Sequence, residues 1–322
     1  MATRSIADPA ALKRRGRINP GDAVLYGVTL AAALSALVLL VLLAREMLAD
    51  AWPAMKEFRL GFLTSRTWNP AEDVYGAATF IFGTALTSFA ALLLAAPLSI
   101  AIALFLTELA PPYIRGPIGA LVEMLAAVPS VVLGLWGILV MGPWIVDHVG
   151  PFLHRTLGWT PFFKTEPVTG PSILSAILIL TIMMIPIISS ICRELFLSVP
   201  RELKEGALAL GATRWEVVKG VIFPYAKAGI AAAMILGLGR AVGEAIAVTQ
   251  VIGNNEAITW NLFEPGDTLA SRIASLYQGA TTSMQVSSLV YLGVILLAFS
   301  LLVNIAAQVV VHRVARRHGG HA

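Results

Sequence analysis

The sequence is poor in charge: 13% of its 322 residues are Asp, Glu, Lys or Arg, where a soluble domain carries about 25%. Its 57% hydrophobic content is gathered into long runs, which excludes an ordinary water-soluble domain. Cysteine is nearly absent. Cys192 stands alone, so no intrachain disulfide can form, and it reads as a small apolar residue near a helix end. No Gly-x-x-x-x-Gly-Lys-Ser/Thr loop exists, because no lysine follows a glycine, so the sequence holds no phosphate-binding loop of that kind. Alternating strands of the membrane-barrel kind are missing as well. No histidine lies mid-run, and the scattered tail histidines His312, His318 and His321 are weak evidence for a metal. The formal net charge of +4 is too small to point to nucleic acid.

What is present is a set of six apolar runs long enough to span a bilayer, at 23–44, 78–106, 118–141, 171–192, 224–250 and 284–311. Lipid offers the backbone no partners, so each run is expected to be helical. The first is too long for the core of a signal peptide, about 7–15 residues, and matches the roughly 20 residues that cross a membrane. The second is overlong and holds Pro97, which predicts a tilted or kinked helix. The fold class expected is therefore an all-α, polytopic membrane protein: a tail over 1–22, a transmembrane domain over 23–311 and a tail over 312–322.

Charge placement orients the spans. One set of segments carries Arg4, Lys13, Arg14, Arg15 and Arg17, then Arg115, then Arg193, Arg201, Lys204, Arg214 and Lys219, and finally Arg313, Arg316 and Arg317. The opposite set carries only Arg45, Lys56, Arg59, Arg66, Arg155, Lys164 and Arg272. Positive charge stays inside, so both termini are expected in the cytoplasm of a bacterial inner membrane. Trp52, Trp68, Trp144, Trp159 and Trp260 fall in the outer loops and read as an interfacial belt rather than a ligand cluster. A short surface helix within the 45–77 loop is left open.

The loop 193–223 carries a pattern of its own. Pro200 can open a helix, Glu202, Lys204 and Glu205 alternate with Leu203, Ala207, Leu208 and Leu210, and Gly211 breaks the run. A second short helix then places Trp215, Val218 and Val221 on one side, and Pro224 opens the next span. Two amphipathic helices joined at a glycine make a rigid device able to seat in a cleft of a soluble partner.

Glu205-Gly206-Ala207, Gly211 four positions on, and Val221-x-Phe223-Pro224 ten positions beyond that resemble the EAA motif of binding-protein-dependent ABC importer permeases. Gly206, Val221 and Phe223 depart from its usual Ala, Ile and Leu. The resemblance implies coupling helices that dock on a nucleotide-binding subunit, with Glu205, Gly211 and Pro224 at that contact. It also implies a separate substrate-binding protein.

The fifth run holds Arg240 and Glu244. A charge at mid-membrane costs roughly 2.5–3.5 kcal/mol on the lenient insertion scale, so both should face the bundle interior or a wet path. Their spacing of four predicts one helix face and a mutual pair. Gly237, Gly239 and Gly243 would let neighbours or a substrate come close. Two roles fit: an anion path, for which a planar guanidinium suits a tetrahedral oxyanion, or a structural pair. In the third run, Pro129 and Ser130 fit either a helix kink or a freed carbonyl and hydroxyl on the path.

Gly239-Arg240-Ala241-Val242-Gly243-Glu244 with the following Ala245 to Val248, and Ala127-Val128-Pro129-Ser130-Val131-Val132-Leu133-Gly134, resemble phosphate importer permeases of the PstC type. The likeness runs from about residue 20 to 317. It implies a type I ABC importer permease with no catalytic residues, metal or cofactor. Its partners would be a homologous second permease, a dimer of ATP-binding subunits seated on 193–223, and an external phosphate-binding protein. Arg240, Glu244 and Ser130 would line the path. Molybdate, tungstate and sulfate remain alternative cargoes. A buried carboxylate favours phosphate, whose own proton can be donated to it. A membrane-embedded hydrolase would need convergent acid, histidine or serine groups at one depth. A passive channel would have no use for the 193–223 motif.

Overall fold

In a computed structural model the chain is described over residues 20–316, with side chains from 21 to 309. The basic residues before position 18, Arg317, and the side chains of His312, Arg313 and Arg316 lie outside the described residues, as do His318 and His321. Residues up to Ala49 form one compact unit and those from Asp50 a second.

Helix α1 (Pro20–Phe58) has 39 residues and α2 (Gly61–Thr64) follows it. The apolar run that predicts a span over 23–44 is thus only the first part of a longer helix, and the connection that follows begins at Arg59 rather than at 45. Arg45, Glu46, Lys56 and Glu57 end the apolar run, yet all are good helix formers and do not end the helix. Next come α3 (Ala78–Leu104), with Pro97 inside it, and a π-helical turn over Phe105–Leu109.

The third predicted span is cut in two. Helix α4 (Pro112–Ala127) stops at Val128, and α5 (Ser130–Trp136) restarts after Pro129, whose ψ of 138° is extended. The residue before a proline is driven out of the helical region, and Val128 has ψ 124°. Helical turns then run on through α6 (Gly142–Trp144) and α7 (Gly150–Leu157). The apolar helical stretch is therefore Ser130–Leu157, later than the expected 118–141.

Helix α8 (Ile173–Leu197) is the centre of the second unit. Ile177, Ile179, Leu180, Met184 and Ile188 are wholly or almost wholly buried, and α8 packs on α3 and α4. It is followed by α9 (Arg201–Ala209), α10 (Arg214–Val217), α11 (Phe223–Gly243) and α12 (Ile246–Val251). The last elements are α13 (Leu269–Leu276) and α14 (Ser283–Arg316). Among the described residues there is no β-strand, only two isolated bridges. Among the same residues, six helical stretches are long and apolar enough to cross a membrane.

The segment between α12 and α14 is anchored by charge. The Arg272 guanidinium lies 2.8 Å from Asp267 Oδ2 and 3.0 Å from Glu256 Oε1, and sits 4.6 Å over the Phe80 ring and 5.9 Å over Trp68. Trp68 is buried against Tyr75 and Phe80, so it belongs to a core and not to an interfacial belt. Trp52, Trp144, Trp159 and Trp260 are exposed. Thr84 Oγ1 accepts from the Leu269 N–H at 2.9 Å, and a Cβ on Gly83 would collide with the Asp267 carbonyl. This segment is thereby locked onto the start of α3.

Candidate functional site

Arg240 and Glu244 meet at a break in the helix. Helix α11 ends at Gly243, Glu244 is extended with ψ 114°, and α12 restarts at Ile246. The expected continuous span over 224–250, with the pair on one helix face, is corrected on this point. Glycine is a poor helix residue, and Glu244 gains an alternative to the helical ladder: its Oε1 accepts from the Ala247 N–H at 3.3 Å, one of the first N–H groups of α12, which have no partner within the helix. Irregular backbone at membrane depth is tolerated where it lines a cavity.

A cavity of about 810 Å³ opens there, walled by α11, Ile187 of α8, and α14. The Arg240 side chain is 47% exposed and that of Glu244 10%. Arg240 Nη2 and Glu244 Oε2 stand 3.9 Å apart, beyond hydrogen-bond range. The two charges attract, yet the guanidinium keeps its donors toward the cavity. The three glycines have different duties. A Cβ on Gly237 would collide with Ile188, so this glycine lets α11 approach α8, whereas Gly243 faces open space. Gly239 would place a Cβ at 3.8 Å from Asn304 Oδ1, an ordinary contact.

Asn304 and Gln308 also line this cavity. The sequence reading passed over them, although two carboxamides four apart in an otherwise apolar final run are a legible signal. Ser130 is not among the lining residues. It is the first residue of α5, which packs on α12: a Cβ on Gly134 would strike the Gln250 side chain and Ala247 backbone.

The 193–223 segment folds as two short helices with Gly211 at φ +87° between them, a backbone region that favours glycine. Thr213 and Glu216 form a reciprocal cap that starts α10: the Thr213 N–H donates to Glu216 Oε2 at 2.7 Å, and the Glu216 N–H to Thr213 Oγ1 at 3.3 Å. Glu205, Gly211 and Pro224 are all exposed. Trp215 is exposed while Val217, Val218 and Ile222 are buried, and Trp215 and Val218 face one hollow, as residues three apart on a helix do. Helix α10 does not end before the next span. It runs through a π-helical turn, Val218–Ile222, straight into α11, and one side of it is covered. Lys204 Nζ donates to Glu108 Oε1 at 2.6 Å and to the Phe196 carbonyl at 3.1 Å, tying α9 to the ends of α3 and α8. Beside it lies a second hollow of about 470 Å³, lined in part by Leu104, Leu208 and Trp215.

The family described as "Binding-protein-dependent transport system inner membrane component" matches residues 95–316. The phosphate transport system permease protein PstC of Mesorhizobium japonicum is 42% identical over 302 residues, 92% of each chain. That of Xylella fastidiosa is 42% identical over 292 residues, 90% of each. The probable protein of the same name from Methanocaldococcus jannaschii is 36% identical over 86% of this chain and 90% of its own. Among solved structures, a chain of a bacterial alginate ABC transporter in complex with an alginate pentasaccharide-bound periplasmic protein superposes with TM-score 0.62 at 17% identity. It covers 94% of this chain and 99% of that one. A chain of the inward-facing MetNI methionine ABC transporter gives TM-score 0.50 at 21% identity over 74% and 94%. The fold is thus that of an ABC importer permease. With the family matching most of its length and relatives aligned almost end to end, the chain belongs to the binding-protein-dependent transport system inner membrane components, among the PstC-type permeases.

Proposed function

We propose that this chain is one membrane-spanning half of an ATP-driven importer of inorganic phosphate, with Arg240 as the anion contact. The observation that carries this reading is a half-exposed guanidinium, 3.9 Å from a nearly buried carboxylate, at a helix break facing a cavity. A planar fork of donors suits two oxygens of a tetrahedral anion. Glu244 Oε2 stands where it can accept the proton that phosphate keeps at neutral pH and sulfate lacks. Sulfate would meet only repulsion there. The relatives named as phosphate transport permeases support the same cargo.

The partners of this reading are a homologous second permease, two ATP-binding subunits and an external phosphate-binding protein. Residues 193–223 would dock on the ATP-binding subunit, with Glu205, Gly211 and Pro224 presented to it. The unbroken helical run Arg214–Gly243 has 30 residues and is about 45 Å long at 1.5 Å per residue. A tilt imposed at α10 would therefore be delivered toward Arg240 along one helical run, through the π-helical turn Val218–Ile222. The permease domain is taken as 23–311 between two cytoplasmic tails, an orientation supported by the excess of Lys and Arg on the 193–223 side. A reporter on the C-terminus that responded only from outside the cell would reverse it.

The cargo is tested by uptake of radiolabelled phosphate, with the full partner set, in cells lacking their own high-affinity system. Phosphate uptake that excess sulfate or molybdate leaves unchanged supports the reading. Uptake of either competitor in place of phosphate reassigns the cargo.

A further inference from the structure

The wall of the Arg240 cavity that comes from α14 consists of two side chains, Asn304 and Gln308. Around them the helix reads Leu301-Leu302-Val303-Asn304-Ile305-Ala306-Ala307-Gln308-Val309. Residues four apart share a helix face, and this face is the one turned to the cavity. A carboxamide in a span is unfavourable against lipid. Here both carboxamides line the cavity that Arg240 also lines, while the apolar Leu301, Leu302, Ile305 and Val309 around them are exposed.

Their order along the membrane follows from the packing. Asn304 stands beside Gly239, next to Arg240 in the chain. Helix α11 enters from the 193–223 side, and Ala232, Ile235 and Leu236, which precede Gly239, line the same cavity. Leu238 and Val242 pack with Val303, Phe299 and Leu296 of α14, so the two helices run in opposite directions. Gln308 therefore lies one turn, about 6 Å, beyond Asn304 toward the 193–223 side. Glu244, Arg240, Asn304 and Gln308 form a polar line, from a carboxylate through a cation to two neutral amides.

We infer that Asn304 and Gln308 are substrate-contacting residues, a neutral exit track along which the anion leaves Arg240 toward the cytoplasm. This rests on the proposed role of Arg240 in the anion path. A single guanidinium in a low-dielectric cavity holds an anion strongly, and the apolar wall of Ile187, Ile235 and Leu236 offers nothing to replace its lost hydration. Amide N–H groups replace water without adding a charge that would trap the ion. Passage needs sites that are each weak enough to leave. Two amides one turn apart, following one cation, meet that need.

The test compares phosphate uptake by the complete transporter carrying Asn304→Asp, Gln308→Glu, Asn304→Gln or Arg240→Gln, with the assembled complex quantified for each. Asn304→Asp is nearly isosteric, and a purely packing asparagine would tolerate it. On the track it places a negative charge beside the anion, and maximal uptake is expected to fall about tenfold or more at unchanged complex abundance. Gln308→Glu should fall in the same direction by less, and Asn304→Gln, which keeps the donors, should stay within about twofold. Wild-type uptake in both acidic variants would overturn the track, and so would losses that follow loss of assembled complex. If Arg240→Gln is dead while both acidic variants are normal, the track alone fails. If Arg240→Gln transports normally, the anion-path reading fails and takes the track with it.

Discussion

At the scale of single residues, the site rests on an ion pair that is close but not closed. At 3.9 Å the Arg240–Glu244 attraction lowers the cost of a charge in the membrane without using up the guanidinium donors. Glu244 has a second duty, capping α12 through the Ala247 N–H. Glu244→Gln keeps that cap, since an amide oxygen can accept the same bond, and removes the charge. Phosphate uptake is then expected to persist while its preference over sulfate shrinks by about tenfold. Competition by sulfate against labelled phosphate measures this, and an unchanged preference would remove Glu244 from the selectivity argument. Arg240 and Glu244 were legible in the sequence because charges stand out in an apolar run. Asn304 and Gln308 stand out less, because carboxamides alter hydropathy less and their direction depends on how α14 packs.

At the scale of elements, the apolar runs located the spans but not their breaks. The apolar runs extend past Val128–Pro129 and, despite Glu244, past Gly243–Ala245, whereas the regular helix does not. Lipid compatibility and helical continuity are separate properties. The same distinction explains α1, whose charged second half leaves the apolar run and stays helical. The 193–223 helices were readable because Gly211 and the alternation of polar and apolar residues act locally. Gly211→Ala must adopt φ near +87°, a strain of about 1 kcal/mol, and would misdirect α10. Weaker co-purification of the ATP-binding subunit, with normal membrane abundance, is the expected result. Glu205→Ala should weaken the same contact, and unaltered co-purification would place docking elsewhere.

The Asp267–Arg272 cluster is an element-scale lock that no local pattern announces, since its members pair through tertiary packing. Arg272→Ala would leave Asp267 buried and without its cation. A loss of about 3–5 kcal/mol, read as a lower unfolding temperature in detergent, is expected. Burial pushes the Asp267 carboxyl up to about 6 from 3.8, against the pull of Arg272 and the Thr268 N–H. The folded state therefore holds this proton more readily than the unfolded state. The stabilising contribution of the group is full below 3.8 and is lost as pH rises through about 6. The difference in stability between wild type and Asp267→Asn should change across that window, and a constant difference would contradict it.

At the scale of the whole molecule, three features lie in series: the short helices of 193–223, the helical run Arg214–Gly243, and a cation near its far end. Phosphate-permease relatives and ABC importer folds agree with the architecture, and under the proposed function this series is the route by which docking would reach the anion. The most direct test of the central claim is phosphate uptake by Arg240→Gln and Arg240→Lys beside wild type, at matched abundance of assembled transporter. Loss of at least about a hundredfold is expected for Arg240→Gln, and partial activity for Arg240→Lys, which keeps the charge without the planar fork. Normal uptake in Arg240→Gln would contradict the claim and leave the pair a structural one.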